Sequence, residues 1–462
     1  MKFRYLFILP LLVASLQAAS VDDLTFSTSF GGFVRVTDCN QSASGSLEIP
    51  STYNGLPVTT IERNAFRDCS SLSSITIPEG VTLIEWEVFY NCTSLTSITM
   101  PDSVTYIEGH AFLGCPINYT ETANTLQYLI SSSGNTAFLI NGSTTTGNAV
   151  IPSSINGAEV KVIASEAFSG CNSLTSITIP DSVTSIGYRA FSGCNSLSSI
   201  TIPDGVTSIE NGVFSSCESL TTINIPDSVN SIGDYAFYNC NSLTSVTIPD
   251  SVTSIGDHAF YGCSNLTSIT IPDGVTSIEN EVFSGCNSLR SVTIPDSVTS
   301  IGDHAFLMCS SLSSITIPEG VTSIGGSAFY NCPSLKGIIF QGNAPTMGYN
   351  VFGLSSYTPI DPNAVIYYYD DASGFTSPTW ENIQTEVISR SNLIIAGIEK
   401  LEVGVNLWFN AASGQSHRIE YSNDLENWTM LEDEIISEGD TVIRYYDTDG
   451  IQKRFYRVRR ND

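Results

Sequence analysis

Basic residues are scarce in this sequence of 462 residues, where 18 Lys and Arg stand against 46 Asp and Glu and the formal net charge is −28. Nucleic acid binding needs Lys and Arg against the phosphates, and docking on anionic lipid needs them too. The composition therefore argues against both partners. Charged residues make up only 14% of the chain, and disordered segments are usually richer in charge, so a folded protein is predicted.

Long apolar runs are also missing beyond the N-terminus. No later segment reaches the ~18 consecutive apolar residues that a membrane-spanning helix needs, so no transmembrane segment is predicted in the mature chain. The N-terminus has Lys2 and Arg4, an apolar stretch from Tyr5 to Leu16, and small residues at Ala18 and Ala19. This order predicts a signal peptide, with a retained anchor as the alternative. A secreted or cell-surface protein is therefore expected.

Catalytic motifs are absent as well. The sequence has no GxSxG, no HExxH, no P-loop and no GxGxxG after a strand. Three of the four histidines share one repeat position with a tyrosine and an arginine, namely His110, His258 and His304 beside Tyr235 and Arg189. A position that accepts such different side chains faces solvent. No catalytic residue, no cofactor and no enzyme activity is therefore predicted.

What dominates the sequence is a 23-residue period. Prolines recur at this spacing at Pro78 and Pro101, and then at Pro180, Pro203, Pro226, Pro249, Pro272, Pro295 and Pro318. In one unit, apolar residues alternate at Ile177 and Ile179, which is typical of a strand, and Pro180 ends it. Phe191 and Cys194 follow in a segment that returns the chain. A single unit cannot bury its apolar side alone, so the units are expected to stack.

The repeated pattern LxxIxIPxxVxxIGxxAFxxC, which recurs about eleven times over roughly residues 40–345, resembles the BspA-type leucine-rich repeat. The resemblance implies a curved solenoid in an exported protein that binds other macromolecules, often as an adhesin. The predicted fold class is an α/β leucine-rich-repeat solenoid of short parallel strands with helical or irregular return turns. A small all-β C-terminal domain is expected to follow it.

A second similarity lies inside the chain. Residues 24–69 align without gaps with residues 126–171 at an offset of 102, and both stretches precede regular repeats. Each is interpreted as a starter module of hairpin-like strands. Two separate repeat blocks with a tight junction are favoured, and one continuous solenoid with a spliced second starter is the alternative.

The period ends after Leu335. The aromatic-rich stretch that follows resembles a terminal cap, and the alternating segments after residue 390 resemble a small β module of secreted bacterial proteins. The predicted organisation is a signal peptide (1–19), a starter with a first repeat block (20–118), a second starter with the main block (119–345), a cap (346–390) and a β-sandwich-like module (391–462).

Eleven of the twelve cysteines occupy one repeat position, three residues after the core phenylalanine. An inward column of free thiols is favoured, because free cysteine behaves as a small hydrophobe. Neighbouring coils bring such residues within disulfide range, so some disulfides stay an alternative, while the spacing does not suit zinc. Cys39 lies outside the register, and its role stays open.

Two polar features repeat with the period. An acidic residue follows most strand prolines, which indicates turn chemistry, with weak calcium binding as the alternative. One serine and one threonine column are expected on the sheet face, either as good strand formers or as a binding face for a repetitive partner. The candidate face comprises Ser176, Thr178, Ser199, Thr201, Ser245, Thr247, Ser268, Thr270, Ser291 and Thr293.

The predicted function is therefore exported adhesion or macromolecule recognition through the solenoid surface. The expected partner is an extracellular protein or polysaccharide. The alternative is a structural spacer that presents the C-terminal module.

Overall fold

The computed structural model describes residues 18–122, 125–353 and 360–388, and beyond them the backbone of six strands between 397 and 460. The predicted signal peptide lies outside the described residues except for Ala18 and Ala19. Ala19 donates its N–H to the carbonyl of Ser44 at 2.8 Å. No helix in the described part is both long and apolar enough to cross a membrane.

The first part of the chain forms nine strands after a 3-10 turn at Val21–Asp23. They are β1 (Leu24–Thr28), β2 (Val34–Cys39), β3 (Gly45–Glu48), β4 (Thr52–Tyr53), β5 (Leu56–Ile61), β6 (Leu72–Thr76), β7 (Leu83–Ile84), β8 (Ser97–Thr99) and β9 (Tyr106–Ile107). β1 and β2 pair antiparallel. The coils then stack in two parallel ladders, β2-β5-β7-β9 and β3-β6-β8.

The second starter repeats this beginning. Its strands are β10 (Thr120–Glu121), β11 (Gln127–Ile130), β12 (Thr136–Asn141), β13 (Gly147–Val150), β14 (Ser154–Ile155) and β15 (Ala158–Ile163). β11 and β12 form an antiparallel hairpin, as β1 and β2 do. The strands β12 to β15 begin 102 residues after β2 to β5, so the aligned stretches have the same local structure.

The main array alternates a longer and a two-residue strand in each coil. Its strands are β16 (Leu174–Thr178), β17 (Ser185–Ile186), β18 (Ser199–Thr201), β19 (Ser208–Ile209), β20 (Thr222–Asn224), β21 (Ser231–Ile232), β22 (Ser245–Thr247), β23 (Ser254–Ile255), β24 (Ser268–Thr270), β25 (Ser277–Ile278), β26 (Ser291–Thr293), β27 (Ser300–Ile301), β28 (Ser314–Ile317), β29 (Ser323–Ile324), β30 (Gly337–Phe340) and β31 (Thr346–Met347). All pairing within the array is parallel.

The predicted cap region adds two more parallel strands to the longer ladder. β32 (Val365–Tyr369) pairs with β30, and β34 (Ile383–Ile388) pairs with β32 and, antiparallel, with β33 (Thr379–Trp380). The Trp380 ring lies 5.5 Å from Phe340 and 4.8 Å from Phe375, measured between ring centroids. These rings cover the apolar interior at this end of the ladder.

Six antiparallel strands follow in the C-terminal stretch. They are β35 (Gly397–Leu401), β36 (Gly404–Asn410), β37 (Ser416–Ser422), β38 (Thr429–Ile436), β39 (Thr441–Tyr446) and β40 (Phe455–Arg460). They form two sheets, in the orders β35-β36-β39 and β38-β37-β40. The proposed domain boundaries, including an independent module at 391–462, stay predictions.

The return segments contain no α-helix anywhere in the described residues, so the helical option among the predicted return turns was wrong and the irregular option fits. Each return segment has two residues in the left-handed region, such as Tyr235 with φ 56° and Asn239 with φ 55°, and these interrupt any helix. The N–H of Phe237 donates to the carbonyl of Ala259 in the next coil at 2.8 Å. Backbone N–H groups of the return turns therefore form hydrogen bonds between coils and not within a helix.

One phenylalanine per coil forms a continuous buried stack. Ring centroids lie between 5.1 and 5.8 Å apart from Phe168 to Phe352, and the rings are nearly parallel. A shorter stack joins Phe66, Phe89 and Phe112. This is the inward phenylalanine column that the period predicts.

Replacing Phe260 by Ala is expected to destabilise the array by about 3–5 kcal/mol, because it opens a cavity between two stacked rings. Hydrogen exchange should accelerate in the flanking coils as well, since coils are stable only through their neighbours. Denaturant unfolding and amide exchange measure both effects. The exposed Asn241→Ala change is the matched control, and equal stability of the two variants would contradict the stacking register.

The second starter is packed between the two repeat blocks. In β12, Ala137 and Leu139 belong to the apolar core of the main block, whereas Phe138 belongs to that of the first block. Side chains of a strand alternate between its two faces, so β12 contributes to both cores. The first block is also joined to the starter by the N–H of Ser132, which donates to the carbonyl of Met100 at 2.8 Å. The phenylalanine stack nevertheless stops here, because the Gly142 backbone abuts the Phe168 ring, and a Cβ on Gly142 would lie 2.3 Å from ring atom Cε1.

Asp102 connects the same two parts through its carboxylate. Ser133 Oγ donates to Asp102 Oδ2 at 2.6 Å, and Asn135 Nδ2 lies 3.4 Å from the same oxygen. Hydrogen bonds from the Ser131 and Ser133 hydroxyls lower the pKa of Asp102 from 3.8 to about 2. The ionised form is therefore favoured by folding.

Because the folded pKa is lowered, the contribution of Asp102 is fully present above pH ~4 and is lost as the pH falls to about 2. Asp102→Asn is expected to remove this part of the acid sensitivity, so the melting temperature of the variant should fall less over this range than that of the wild type. Thermal unfolding at several pH values measures the difference. Asp181→Asn, at the same repeat position but exposed, should behave as the wild type, and identical profiles for all three proteins would contradict the assignment.

Candidate functional site

The ten hydroxyl residues of the candidate face lie on β16, β18, β22, β24 and β26, and all are exposed except the half-buried Ser176. They form two rows in register, since Ser268 pairs with Ser291 and Thr270 with Thr293. Thr222 and Asn224 of β20 continue the same rows. In the described part of the chain these hydroxyls, apart from that of Ser176, make no hydrogen bond to protein. The structure thus brings the predicted residues together on one surface, and their role in binding stays a prediction.

A neighbouring hydroxyl row has a structural role that the sequence did not reveal. Thr244 Oγ1 donates to the carbonyl of Thr221 at 3.3 Å, and Thr267 Oγ1 donates to that of Thr244 at 3.3 Å. Each hydroxyl thus caps the carbonyl of its counterpart one coil earlier. This row stabilises stacking, whereas the two candidate rows are available to a partner.

The acidic residues after the strand prolines are exposed in the main array, from Asp181 to Asp296. The described residues contain no group of three or more His, Cys, Asp or Glu that could hold a metal ion. The calcium interpretation therefore gains no support from these residues, and turn chemistry stays the favoured interpretation of the column.

A third row of residues, here called the turn row, varies from coil to coil, and its members are exposed or half-buried except for the buried Gly212. Each member has φ between 50° and 65° and precedes the buried Ala or Val before the core phenylalanine. Left-handed backbone costs about 1–2 kcal/mol for residues with a Cβ, so large side chains are held here against a local penalty. The members are Asn64, Glu87, His110, Glu166, Arg189, Gly212, Tyr235, His258, Glu281, His304, Ser327 and Asn350.

Two adjacent coils of the turn row carry a cluster of four aromatic rings, here called the four-ring cluster. Tyr235 stacks on His258 at 4.6 Å, and Tyr238 stacks on Tyr261 at 4.9 Å, measured between ring centroids. Tyr235 is 41% exposed. His258 Nε2 lies 3.4 Å from Glu281 Oε1, which fixes the ring at one side.

A cleft of about 570 Å³ opens where the two repeat blocks meet, and Glu108, His110, Gln127, Asn141 and Glu166 are among its polar lining residues. His110 Nδ1 lies 3.3 Å from Glu166 Oε2. Burial raises the pKa of Glu108 and of Glu166. The 23-residue period alone does not predict this cleft, since His110 and Glu166 come from different blocks.

The cleft is shaped by Gly109, at a repeat position that varies from coil to coil. A Cβ on Gly109 would lie 2.6 Å both from Trp86 Cζ3 and from Glu166 Oε2, so only glycine lets these side chains approach. The large Trp86 and the small Gly109, at one repeat position in successive coils, are a sequence signal that could have pointed to this place.

The repeat cysteines form the expected inward column. All twelve cysteines are free, and all are buried except the half-buried Cys115. Cys263 Sγ donates to the carbonyl of Phe237 at 3.2 Å, and Cys286 Sγ to that of Phe260 at 3.2 Å, each in the preceding coil. Burial raises the pKa of Cys217 and Cys286 to about 12, which keeps them as unreactive thiols.

Alkylation of the native protein should modify Cys115 first, because it is the one thiol that is not fully buried. The remaining eleven should react only after denaturation, without any reductant. Mass spectrometry of the labelled peptides counts them, and Cys115→Ser is the control for the native reaction. Protection of most thiols in denaturant would instead mean that they are disulfide-bonded.

The parallel ladders, the buried column and the 23-residue unit together define a leucine-rich-repeat solenoid. The BspA type Leucine rich repeat region matches in six copies over residues 59–156, 148–253 and 230–358. These matches cover more than half of the chain, and the protein belongs to the BspA-type leucine-rich-repeat family.

Several solved structures are similar to parts of the chain. The leucine-rich repeat protein TpLRR of T. pallidum is 36% identical, with 42% of this chain and 91% of that one covered and a TM-score of 0.40. A leucine-rich repeat protein from Bacteroides ovatus is 28% identical, with 79% and 98% covered and a TM-score of 0.41. A leucine rich cell surface protein from Faecalibacterium prausnitzii is 27% identical, with 69% and 86% covered and a TM-score of 0.27. A comparison with curated proteins gave no match.

Proposed function

We propose that this chain is an exported, non-catalytic binding protein that recognises an extracellular protein or polysaccharide through its solenoid surface, as in cell adhesion. Membership of a repeat family built around an extended surface supports the proposal. A secreted or cell-surface location is part of the proposal. It agrees with the signal-peptide pattern at residues 1–19.

The observation that carries the proposal is the pair of exposed hydroxyl rows on the sheet face. Parallel strands lie about 4.8 Å apart, so the rows offer donors and acceptors at a fixed repeat. A partner with its own repeat, such as a polymer or a fibre, can contact many equivalent hydroxyls at once. Many weak contacts of this kind add up to useful avidity.

A structural spacer that holds the C-terminal β strands away from the cell is the second candidate. The near-identity of successive coils favours it, because a spacer has no need for variation along its length. The spacer predicts that the solenoid surface captures nothing.

Capture on a panel of immobilised extracellular-matrix proteins and polysaccharides tests the proposal with the purified mature chain. The double change Thr247→Lys and Thr270→Lys places long charged side chains on the hydroxyl face and is expected to reduce capture about tenfold or more. The matched control, Asn172→Lys with Asn241→Lys, adds the same charge outside the rows and should bind as the wild type. Absence of any capture by the wild type would favour the spacer.

A further inference from the structure

In the first block, a cationic side chain of the chain itself is held against an aromatic ring on the return turns. The Arg67 guanidinium lies 4.5 Å over the ring of Tyr90, measured to the ring centroid. Arg67 also pairs with Glu87, and its Nε lies 3.6 Å from Asp68 Oδ2. Guanidinium groups favour this arrangement, since they stack on aromatic faces and are weakly hydrated.

A tyrosine at the same repeat position occurs in the main block without a cation over it. Tyr90 and Tyr238 both follow a core phenylalanine directly, so they occupy the same repeat position. Arg67 stands one coil before Tyr90, and Ser215 stands one coil before Tyr238. No cation lies over Tyr238 within the described residues, and its other neighbour, Tyr261, stacks at 4.9 Å. The Ser215 side chain is too short to lie over Tyr238 as Arg67 lies over Tyr90, and the Tyr235 ring of the same coil is tilted by 56° against Tyr238 at a centroid distance of 5.6 Å.

The surrounding charge favours a positive partner. No Lys or Arg occurs between Arg189 and Arg290, while that stretch carries ten acidic residues. Asp234 and Asp257 are the nearest of these in sequence to the four-ring cluster, and their Oδ1 atoms accept backbone N–H groups of the next coil. Coils that carry acidic residues and no basic ones attract cations and steer them in solution.

The carboxylates differ in one respect from those around Arg67. Tyr235 and Ser216 stand where the first block has Glu87 and Asp68. The aromatic surface is therefore wider, and the carboxylate of Glu281 lies beside it, with Oε1 3.4 Å from His258 Nε2. That combination suits a partner with several cationic groups more than a single bound ion.

We propose that the four-ring cluster is the docking point for an arginine-bearing segment of a partner protein, with one guanidinium over Tyr238 as Arg67 lies over Tyr90. The inference rests on the proposed binding function and assigns it a second surface, on the return turns and not on the sheet.

The test places a guanidinium group of the protein itself over the Tyr238 ring. Ser215→Arg reproduces the first-block arrangement and should cover Tyr238 with the protein's own guanidinium. Ser192→Arg adds the same charge one coil earlier, where the next coil offers Ser215 and no ring. Tyr238→Leu removes the ring, and Tyr238→Phe retains it.

The measurement is fluorescence anisotropy of a labelled peptide of alternating Arg and Gly at physiological salt, with the mature full-length chain. Ser215→Arg and Tyr238→Leu should weaken binding about tenfold, and Ser192→Arg less than about twofold, since a desolvated cation–π contact corresponds to a factor of this size. Tyr238→Phe should bind as the wild type. The matching Lys peptide should bind more weakly than the Arg peptide. Thermal unfolding confirms that each variant is folded.

Equal weakening of peptide binding by Ser192→Arg and Ser215→Arg would overturn the inference, because the loss would then come from overall charge and not from the covered ring. Sugar stacking would replace the inference if a neutral oligosaccharide displaced the labelled peptide and the Arg peptide bound no more tightly than the Lys peptide. Capture of a matrix protein that Ser215→Arg leaves unchanged would also overturn it and leave the proposed function standing. A chain that binds the peptide but captures nothing from the panel would contradict the proposed function alone.

Discussion

The solenoid depends on one constraint, which is that each coil satisfies its backbone hydrogen bonds through the next coil. The strands do so in two parallel ladders, and the return turns do so through donors such as the Phe237 N–H. Side chains follow the same rule, because Thr244 Oγ1 and Cys263 Sγ each donate to a carbonyl one coil earlier. An isolated coil would leave all of these groups to water. A change of length in one coil would disturb both of its neighbours, which explains why the 23-residue period is so strict.

Much of the fold could be predicted from the sequence because the period carries the packing. The positions of Ile177, Phe191 and Cys194 within one unit were sufficient to predict a strand, an inward ring and a buried thiol. The return turn was predicted less well. Its left-handed position accepts Tyr, His, Glu and Ser, so no residue type there indicates left-handed backbone. The role of β12 between two cores was also missed, although its run of apolar residues is typical of a strand that is buried on both faces.

The candidate surfaces differ in how far sequence alone could find them. The hydroxyl rows repeat, so their register followed directly from the period. The cleft and the four-ring cluster depend on repeat positions whose residue varies between coils, such as those of Gly109 and Tyr235, and on which coils lie side by side. Constant rows would suit the repeating partner proposed above, and a varied row would distinguish one partner from another. The main array carries both kinds of row.

The long interval without lysine or arginine has one further consequence. Proteases of the trypsin type place a basic side chain in a negatively charged specificity pocket before they cut. Between Arg189 and Arg290 the chain offers them no such residue, whether the coils are stacked or transiently open. About four coils of the main array therefore contain no cleavage site for this class of digestive and tissue enzymes, whatever their conformation. A protein exposed outside the cell would keep its central surface intact even where its ends are trimmed.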